Sequence, residues 1–307
     1  MDTKRLLRLV VSPGASSALA YALLGFLVGL LWLSLTARGP ALVAPSIGGA
    51  ALGEAARPLT VPASGRVTLQ EAIGSVRRFA GEPGLVLEGG RQTDGEGSRR
   101  ADLYYLEGVS PTRGEDFFKV DARTAEVVEA TFRGRMAPAV DAVDLTLADA
   151  EALATRFAQT HFWGFDQLAL VDRSTRTSES GTVYSFKWGQ LSADSGAELP
   201  ISVSIAVMGR SGQVFWYLGQ RERLQIDTWP TVERERAVET ARAWLLTYDD
   251  RWDLGQPSSV RLQVLYDDDD QQQLVWSVLY RARQDSPRST IRLLVDAHTG
   301  AIIQGAS

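Results

Sequence analysis

The sequence predicts an α+β protein in which an N-terminal transmembrane helix precedes three repeated units, each of one helix packed on an antiparallel β-meander. Three observations predict this fold class: a long uncharged apolar run near the N-terminus, helix starts that share one capping pattern, and nine-residue hairpin segments that recur along the chain. Hydrophobic residues make up 45% of the chain, which is enough for packed cores and excludes a wholly disordered protein.

The first predicted element is a membrane span. Residues 9–37 carry no charge, and residues 18–35 (ALAYALLGFLVGLLWLSL) are nearly all apolar. A helix of that length spans roughly 27 Å, close to the hydrocarbon thickness of a bilayer. We therefore expect residues 1–37 to form a cytoplasmic stub and a transmembrane helix that contacts the lipid bilayer through residues 18–35. The alternative is a cleaved signal peptide, which the missing small-x-small cleavage pattern disfavours.

Charge next to the span predicts its orientation. Lys4, Arg5 and Arg8 precede the apolar run, and positive residues favour the cytoplasmic side of a membrane. We expect a single-pass protein of the cell membrane with its N-terminus in the cytoplasm and its C-terminal part outside. Residues 38–66 are rich in Pro, Gly and Ala and have no aromatic residue, so they are expected to form a linker.

The three repeated units are assigned to residues 67–135, 144–222 and 229–307. Thr68 and Thr146 each precede an apolar helical stripe and are followed three positions later by Glu71 and Asp149, which is the pattern of a capping box. The third helix follows Thr231 less regularly. Stretches rich in aromatic and β-branched residues come after each helix and predict strands.

A hairpin segment recurs near the end of each unit. Residues 120–128 (VDARTAEVV), 207–215 (VMGRSGQVF) and 295–303 (VDAHTGAII) align with each other. The sixth position is Gly in the second and third segments, where a turn requires a positive φ. Ala125 takes this place in the first segment, so we expect a strained turn or a different turn type there.

These motifs together resemble the PepSY domain family, including the tandem PepSY-like repeats of bacterial envelope proteins. The matching residues are the helix start Thr-Leu-x-Glu/Asp-Ala at 68–72 and 146–150 and the hairpin Val-Asp-Ala-x-Thr-Gly at 295–300, which is degraded at 120–125. The resemblance implies a helix packed on an antiparallel sheet and an extracytoplasmic location. It also implies no catalysis by the domain itself, and a role in regulating peptidases or in sensing at the cell surface.

The inventory of reactive side chains argues against most enzymes. The chain has no cysteine, and its two histidines are His161 and His298. We expect no catalytic residue, no metal site and no cofactor. The four aspartates at 267–270 are better explained as a solvated hairpin tip than as a cation site. A net charge of −5 also makes nucleic acid an unfavourable partner.

Phe215, Trp216 and Tyr217 are the candidate partner-binding residues, because neighbours in a strand face opposite sides and some aromatic surface must point away from the core. The competing interpretation places aromatic residues of this kind in the core. The leading functional hypothesis is a non-catalytic binding or regulatory protein whose partner is an envelope protein, either a peptidase or a signalling sensor. The alternatives are an envelope hydrolase that uses paired carboxylates and a structural spacer.

Overall fold

The structure is a computed structural model that describes residues 65–92, 102–110, 114–136, 145–178, 181–248, 255–267, 269–281 and 290–306. The predicted membrane span at residues 18–35 and nearly all of the predicted linker lie outside these ranges. Among the helices that the structure does describe, none is both long enough and apolar enough to cross a bilayer.

The described part of the chain contains three α-helices, each followed by four strands. The helices are α1 (Leu69–Ala80), α2 (Leu147–His161) and α3 (Arg234–Tyr248). The strands are β1 (Val86–Gln92), β2 (Leu103–Ser110), β3 (Gly114–Asp121), β4 (Val127–Phe132), β5 (Ala169–Ser178), β6 (Gly181–Leu191), β7 (Glu198–Met208), β8 (Gln213–Arg221), β9 (Ser259–Tyr266), β10 (Gln272–Arg281), β11 (Thr290–Asp296) and β12 (Ile302–Ala306). Short 3₁₀ helices follow β4 and α2, at Arg133–Met136 and Phe165–Gln167.

All twelve strands belong to one mixed sheet, so the prediction of three helix-on-meander units is wrong. The main path of the sheet runs β1-β2-β3-β4-β8-β7-β9-β10-β11-β12, and β5 and β6 branch from β7. Three residue pairs join β4 to β8 in antiparallel fashion. A single parallel pair, Glu198 with Gln263, joins β7 to β9. Strand edges that the sequence assigned to separate meanders are therefore hydrogen-bonded to each other, which satisfies their backbone groups.

The apolar cores also cross the predicted unit boundaries. The core under α1 and α2 is one cluster, in which Phe79 of α1 meets Phe157 of α2 and Tyr217 of β8 with ring centroids 5.6 and 5.0 Å apart. A second cluster lies between α3 and strands β9–β12. The first two thirds of the described chain thus share a core, and the last third has its own.

Local sequence explains where the helices begin. The hydroxyl of Thr68 accepts a hydrogen bond from the Glu71 amide while the Glu71 carboxylate accepts one from the Thr68 amide, which confirms the predicted capping box. At α2 the Thr146 hydroxyl caps the helix, but Asp149 bonds that hydroxyl instead of the amide. At α3 the amide of Thr231 donates to Ala297, and the helix begins three residues later.

The three aligned hairpin segments form closely similar turns. Ala125, Gly212 and Gly300 have φ of 57°, 62° and 76°, so Ala125 adopts the left-handed conformation that glycine provides without strain. In the first and third turns, the carboxylate of an aspartate, Asp121 or Asp296, accepts hydrogen bonds from the amides two and three residues later. A register shift follows each turn at the same place, which indicates a β-bulge in all three hairpins.

Gly300→Ala should lower the free energy of unfolding by about 1 kcal/mol, because alanine is strained at this φ although the nearest atom to a new Cβ is 3.6 Å away. Urea unfolding followed by circular dichroism measures the change. Gly84→Ala is the matched control, since its Cβ would meet open space at an ordinary φ. Equal stability of the two variants would contradict the turn argument.

Candidate functional site

The three aromatic residues singled out from the sequence do not share one environment. Tyr217 is 1% exposed and lies in the core beneath the helices. Trp216 pairs with Thr131 of β4 and Ala206 of β7, and as the neighbour of Tyr217 in the strand it points to the opposite side of the sheet. Phe215 lies at the bulge, and both Phe215 and Trp216 are half-buried.

The bulge is the feature that sequence reasoning missed. Strict alternation would put Phe215 on the same side as Tyr217, whereas the extra residue makes Val214 and Tyr217 the buried members of the strand. The alignment of the three nine-residue segments could have indicated this bulge, because the register shift occurs at the same aligned position in each segment.

The face of the sheet opposite the helices, here called the outer face, carries an aromatic patch. We define the aromatic patch as Tyr105, Phe117, Trp216 and Leu218. The Tyr105 and Phe117 rings lie 6.2 Å apart, and Thr131 separates Phe117 from Trp216 across neighbouring strands. In the described part of the chain the three helices pack on the other face.

One ion pair borders the aromatic patch on the same face. The Lys119 ammonium lies 2.7 Å from the Glu129 carboxylate and 5.7 Å from the centre of the Tyr105 ring. This arrangement combines an ion pair with a cation–π contact at the border of the aromatic patch. The patch therefore presents apolar surface next to an ion pair and to the exposed Glu107, which lies opposite Phe117. Such a border suits a protein surface better than a polyanion.

A second polar group lies on the outer face where β7 meets β9. Glu198 is 5% exposed, and its carboxylate is paired with the Lys187 ammonium. Arg261 of β9 donates to Asp172 of β5 at 3.1 Å. A buried carboxylate is tolerated when a cation compensates its charge, so this group holds strands together instead of offering an unpaired acid.

On the helix side, His161 closes the contact between α1 and α2. Its ring lies 4.4 Å from Phe79 and 4.3 Å from Phe157, centroid to centroid. Burial lowers the pKa of His161 from 6.5 to about 4, and the positive charge of Arg135 acts in the same direction. The imidazole is therefore neutral near pH 7 and serves as a packing group.

Arg221 fastens the end of α2 to the sheet. Its guanidinium donates to the Trp163 carbonyl, lies 3.8 Å from the Glu126 carboxylate, and stacks on the Phe162 ring at 4.6 Å. Burial raises the pKa of Glu126, and Arg221 opposes that rise. Burial also raises the pKa of the Tyr217 phenol.

A shallow cleft of about 70 Å³ opens beside Arg221. It is lined by Trp163, Gly164, Gln167, Leu168, Gln190, Ile201 and Arg221. This volume is several times smaller than that of typical small-molecule sites. Because Arg221 already bonds Glu126 and Trp163, the cleft offers a guanidinium that is largely engaged.

The acidic segment after β9 forms a turn, as the sequence analysis predicted for it. The Asp267 carboxylate accepts hydrogen bonds from the amides of Asp269 and Gln271 and from the Gln273 side chain. Residue 268 lies outside the described residues. Within the described ranges, no group of three or more histidine, aspartate or glutamate side chains is placed to hold a metal ion.

Comparisons with known proteins give distant likenesses. No model of a protein family matches the chain, and no curated protein matches it. The chain is similar to the solved Bacillus megaterium YpeB C-terminal domain, with 17% identity, a TM-score of 0.45, and coverage of 78% of this chain and 97% of that one. It is also similar to an uncharacterized protein from Eubacterium rectale ATCC 33656, with 10% identity, a TM-score of 0.41, and coverage of 76% and 81%. At these values no function carries over to this chain.

Trp216 and Tyr217 should respond differently to truncation. Tyr217→Ala removes a fully buried ring that contacts Phe79 and Phe157, so we expect a loss of about 3–5 kcal/mol in the free energy of unfolding. Trp216→Ala on the outer face should lower the free energy of unfolding by about 1 kcal/mol. Denaturant unfolding of both variants measures the difference, and a larger loss for Trp216→Ala would show that the faces are assigned the wrong way round.

Acid should weaken the contact between α1 and α2 through His161. The pKa of His161 is lower in the folded chain than in the unfolded chain, so the unfolded chain takes up the proton first as the pH falls. The contribution of His161 to the free energy of unfolding is therefore complete above about pH 6.5 and is lost as the pH falls toward 4. Protonation of His161 alone should lower the free energy of unfolding by about 3 kcal/mol over that range. His161→Phe keeps an aromatic ring without the titration, and its unfolding free energy should depend less on pH. Parallel pH profiles for the variant and the wild type would contradict the argument.

Proposed function

We propose that this protein is a membrane-anchored, extracytoplasmic binding and regulatory protein that acts without catalysis. The anchor is the apolar run at residues 18–35, and the linker at 38–66 separates it from the sheet. The partner is an envelope protein, either a peptidase or the sensor part of a signalling protein. The PepSY-like motifs of the sequence support this choice of partner.

The aromatic patch on the outer face is the observation that carries the proposal. Aromatic side chains dominate the binding energy of protein interfaces, particularly at a centre with polar groups around it. Trp216 and Phe117 supply such anchors, and the Lys119–Glu129 pair borders them. A partner with an apolar side chain exposed on its surface matches this chemistry.

The two histidines support a non-catalytic role. His161 is packed between Phe79 and Phe157, where burial keeps it neutral. His298 lies exposed in the last hairpin turn, where its amide donates to Asp296. Neither position pairs an imidazole with a nucleophile in the way that general-base catalysis requires.

Site-specific photocrosslinking in the native membrane tests the proposal. A benzoylphenylalanine at the Leu218 position lies on the aromatic patch, and one at Gln159, exposed on α2, is the matched control on the helix side. We expect an adduct with an envelope protein from the Leu218 position and none from Gln159. Mass spectrometry of the adduct distinguishes a peptidase from a sensor.

A second substitution links the adduct to the patch. Trp216→Ala, introduced into the chain that carries the probe at position 218, should lower the adduct yield severalfold, because it removes the largest aromatic side chain of the patch. Leu246→Ala, which removes an exposed apolar side chain from α3 on the other face, should leave the yield unchanged. Equal adducts from both probe positions, or a yield that does not depend on Trp216, would overturn the proposal. A complete absence of adducts would favour a structural spacer.

A further inference from the structure

Strand β5 is a long edge of the sheet. Ala169–Ser178 pairs with β6 on one side, and within the described residues no other strand pairs with it. Its side chains are exposed on both faces along nearly the whole strand. An edge of this kind presents a row of backbone amides and carbonyls that another strand can pair with.

Beyond the register shift between Leu170 and Asp172, this edge pairs regularly with β6 as far as Ser178. Residues 172–178 (DRSTRTS) contain no proline, glycine or lysine, which are the residues that commonly blunt an edge. The edge strand β1, by contrast, carries Gly89 and Gly90 in its centre, and Gly89 has a φ of 145°. The protection of β5 therefore rests on the register shift before Asp172 and on its charges, Asp172, Arg173 and Arg176.

These charges are complementary to a second copy of the same strand. We propose that two copies of this chain associate through antiparallel pairing of their β5 edges about a two-fold axis at Ser174. In this register Asp172 of each copy lies opposite Arg176 of the other, on the outer face. Arg173 lies opposite Thr175 on the helix face. Opposite charges directly across a strand pair are stabilising, and a two-fold axis produces each pair twice.

Neighbouring registers are less favourable. A two-fold axis perpendicular to the sheet places every residue opposite one on the same face. Centring the pairing at Asp172, Arg173 or Arg176 would therefore set that charge against itself, which is destabilising. Centring it at Thr175 opposes no charges. The register at Ser174 is the one in this stretch that pairs opposite charges, so the edge specifies its own alignment.

The charges remain accessible for this role. Asp172 accepts from Arg261 at 3.1 Å, yet its side chain is 51% exposed and a carboxylate has room for a second donor. Arg173 lies 3.9 Å from Glu151 of α2, on the other face. Arg176 is exposed and lies opposite Val183 of β6 within its own chain.

A single cysteine tests the register directly. The chain has no cysteine, so Ser174→Cys introduces a unique thiol at the proposed axis. The two Cα atoms across the axis would be about 4.5–5.5 Å apart, within the range of a disulfide. Mild oxidation of the purified full-length chain in detergent micelles should convert most of it to a covalent dimer.

Two matched controls accompany this variant. Ser185→Cys lies opposite Ser174 on β6, on the same face but one strand further from the edge. Thr177→Cys lies on β5, three residues from the axis. Both should crosslink at least tenfold more slowly than Ser174→Cys. Equal rates for the three variants, or no dimer from Ser174→Cys, would overturn the proposal.

Charge reversal provides an independent test. Arg176→Asp leaves two acids on the outer side of the edge, and Asp172→Arg leaves two cations there. Each variant alone should dimerise at least tenfold more weakly than the wild type in sedimentation velocity, because like charges face each other twice. An equimolar mixture of the two variants should recover the dimer, since every pair across the axis is then opposite in sign.

Arg223→Asp, a reversal in an exposed loop, matches the net-charge change of Arg176→Asp and should dimerise as the wild type does. Circular dichroism melting shows whether each variant is folded. Failure of the mixture to associate, with both variants folded, would contradict the pairing. A wild type that is monomeric at all concentrations would also contradict it, and would leave β5 as an edge for a different chain. Neither result bears on the aromatic patch.

Discussion

The pairing of β4 with β8 is the contact on which the rest of the structure depends. It places Ala130 opposite Tyr217 and Thr131 opposite Trp216. Backbone hydrogen bonds satisfy two edges at once, and the alternation of side chains then commits Tyr217 to the helix side and Trp216 to the outer face. The shared core beneath α1 and α2 and the aromatic patch both follow from these three residue pairs.

The two junctions within the sheet differ in their chemistry. The first and middle thirds are joined by a ladder and by aromatic packing under the helices. The last third meets the middle third through one backbone pair and through Ala197, which is buried in the second apolar cluster. Polar contacts add to this junction, such as the Tyr266 hydroxyl donating to Glu222 at 2.7 Å and the Gln272 side-chain amide donating to the Arg223 carbonyl at 2.8 Å. Apolar burial therefore dominates the first junction, whereas part-buried hydrogen bonds with tyrosine and glutamine donors contribute to the second.

The outer face and the β5 edge give the protein two distinct surfaces. The aromatic patch extends from β2 across β3 and β4 to β8, whereas β5 lies at the end of the branch from β7. Pairing of two β5 edges would extend the sheet sideways and leave the patch uncovered. Association with a second copy and binding of an envelope protein are therefore compatible, and a dimer would present two patches on the same side.

The sequence by itself determined the features that depend on neighbouring residues. Thr68 with Glu71 specifies the start of α1, and the turn at 295–300 specifies a hairpin, because capping and turn formation involve atoms only a few residues apart. Only the tertiary structure decided which strand edges meet, and it joined β4 to β8 where the sequence suggested separate units. Strand pairing between distant segments leaves no local pattern, and one bulge at Phe215 is enough to change which aromatic side chains are buried.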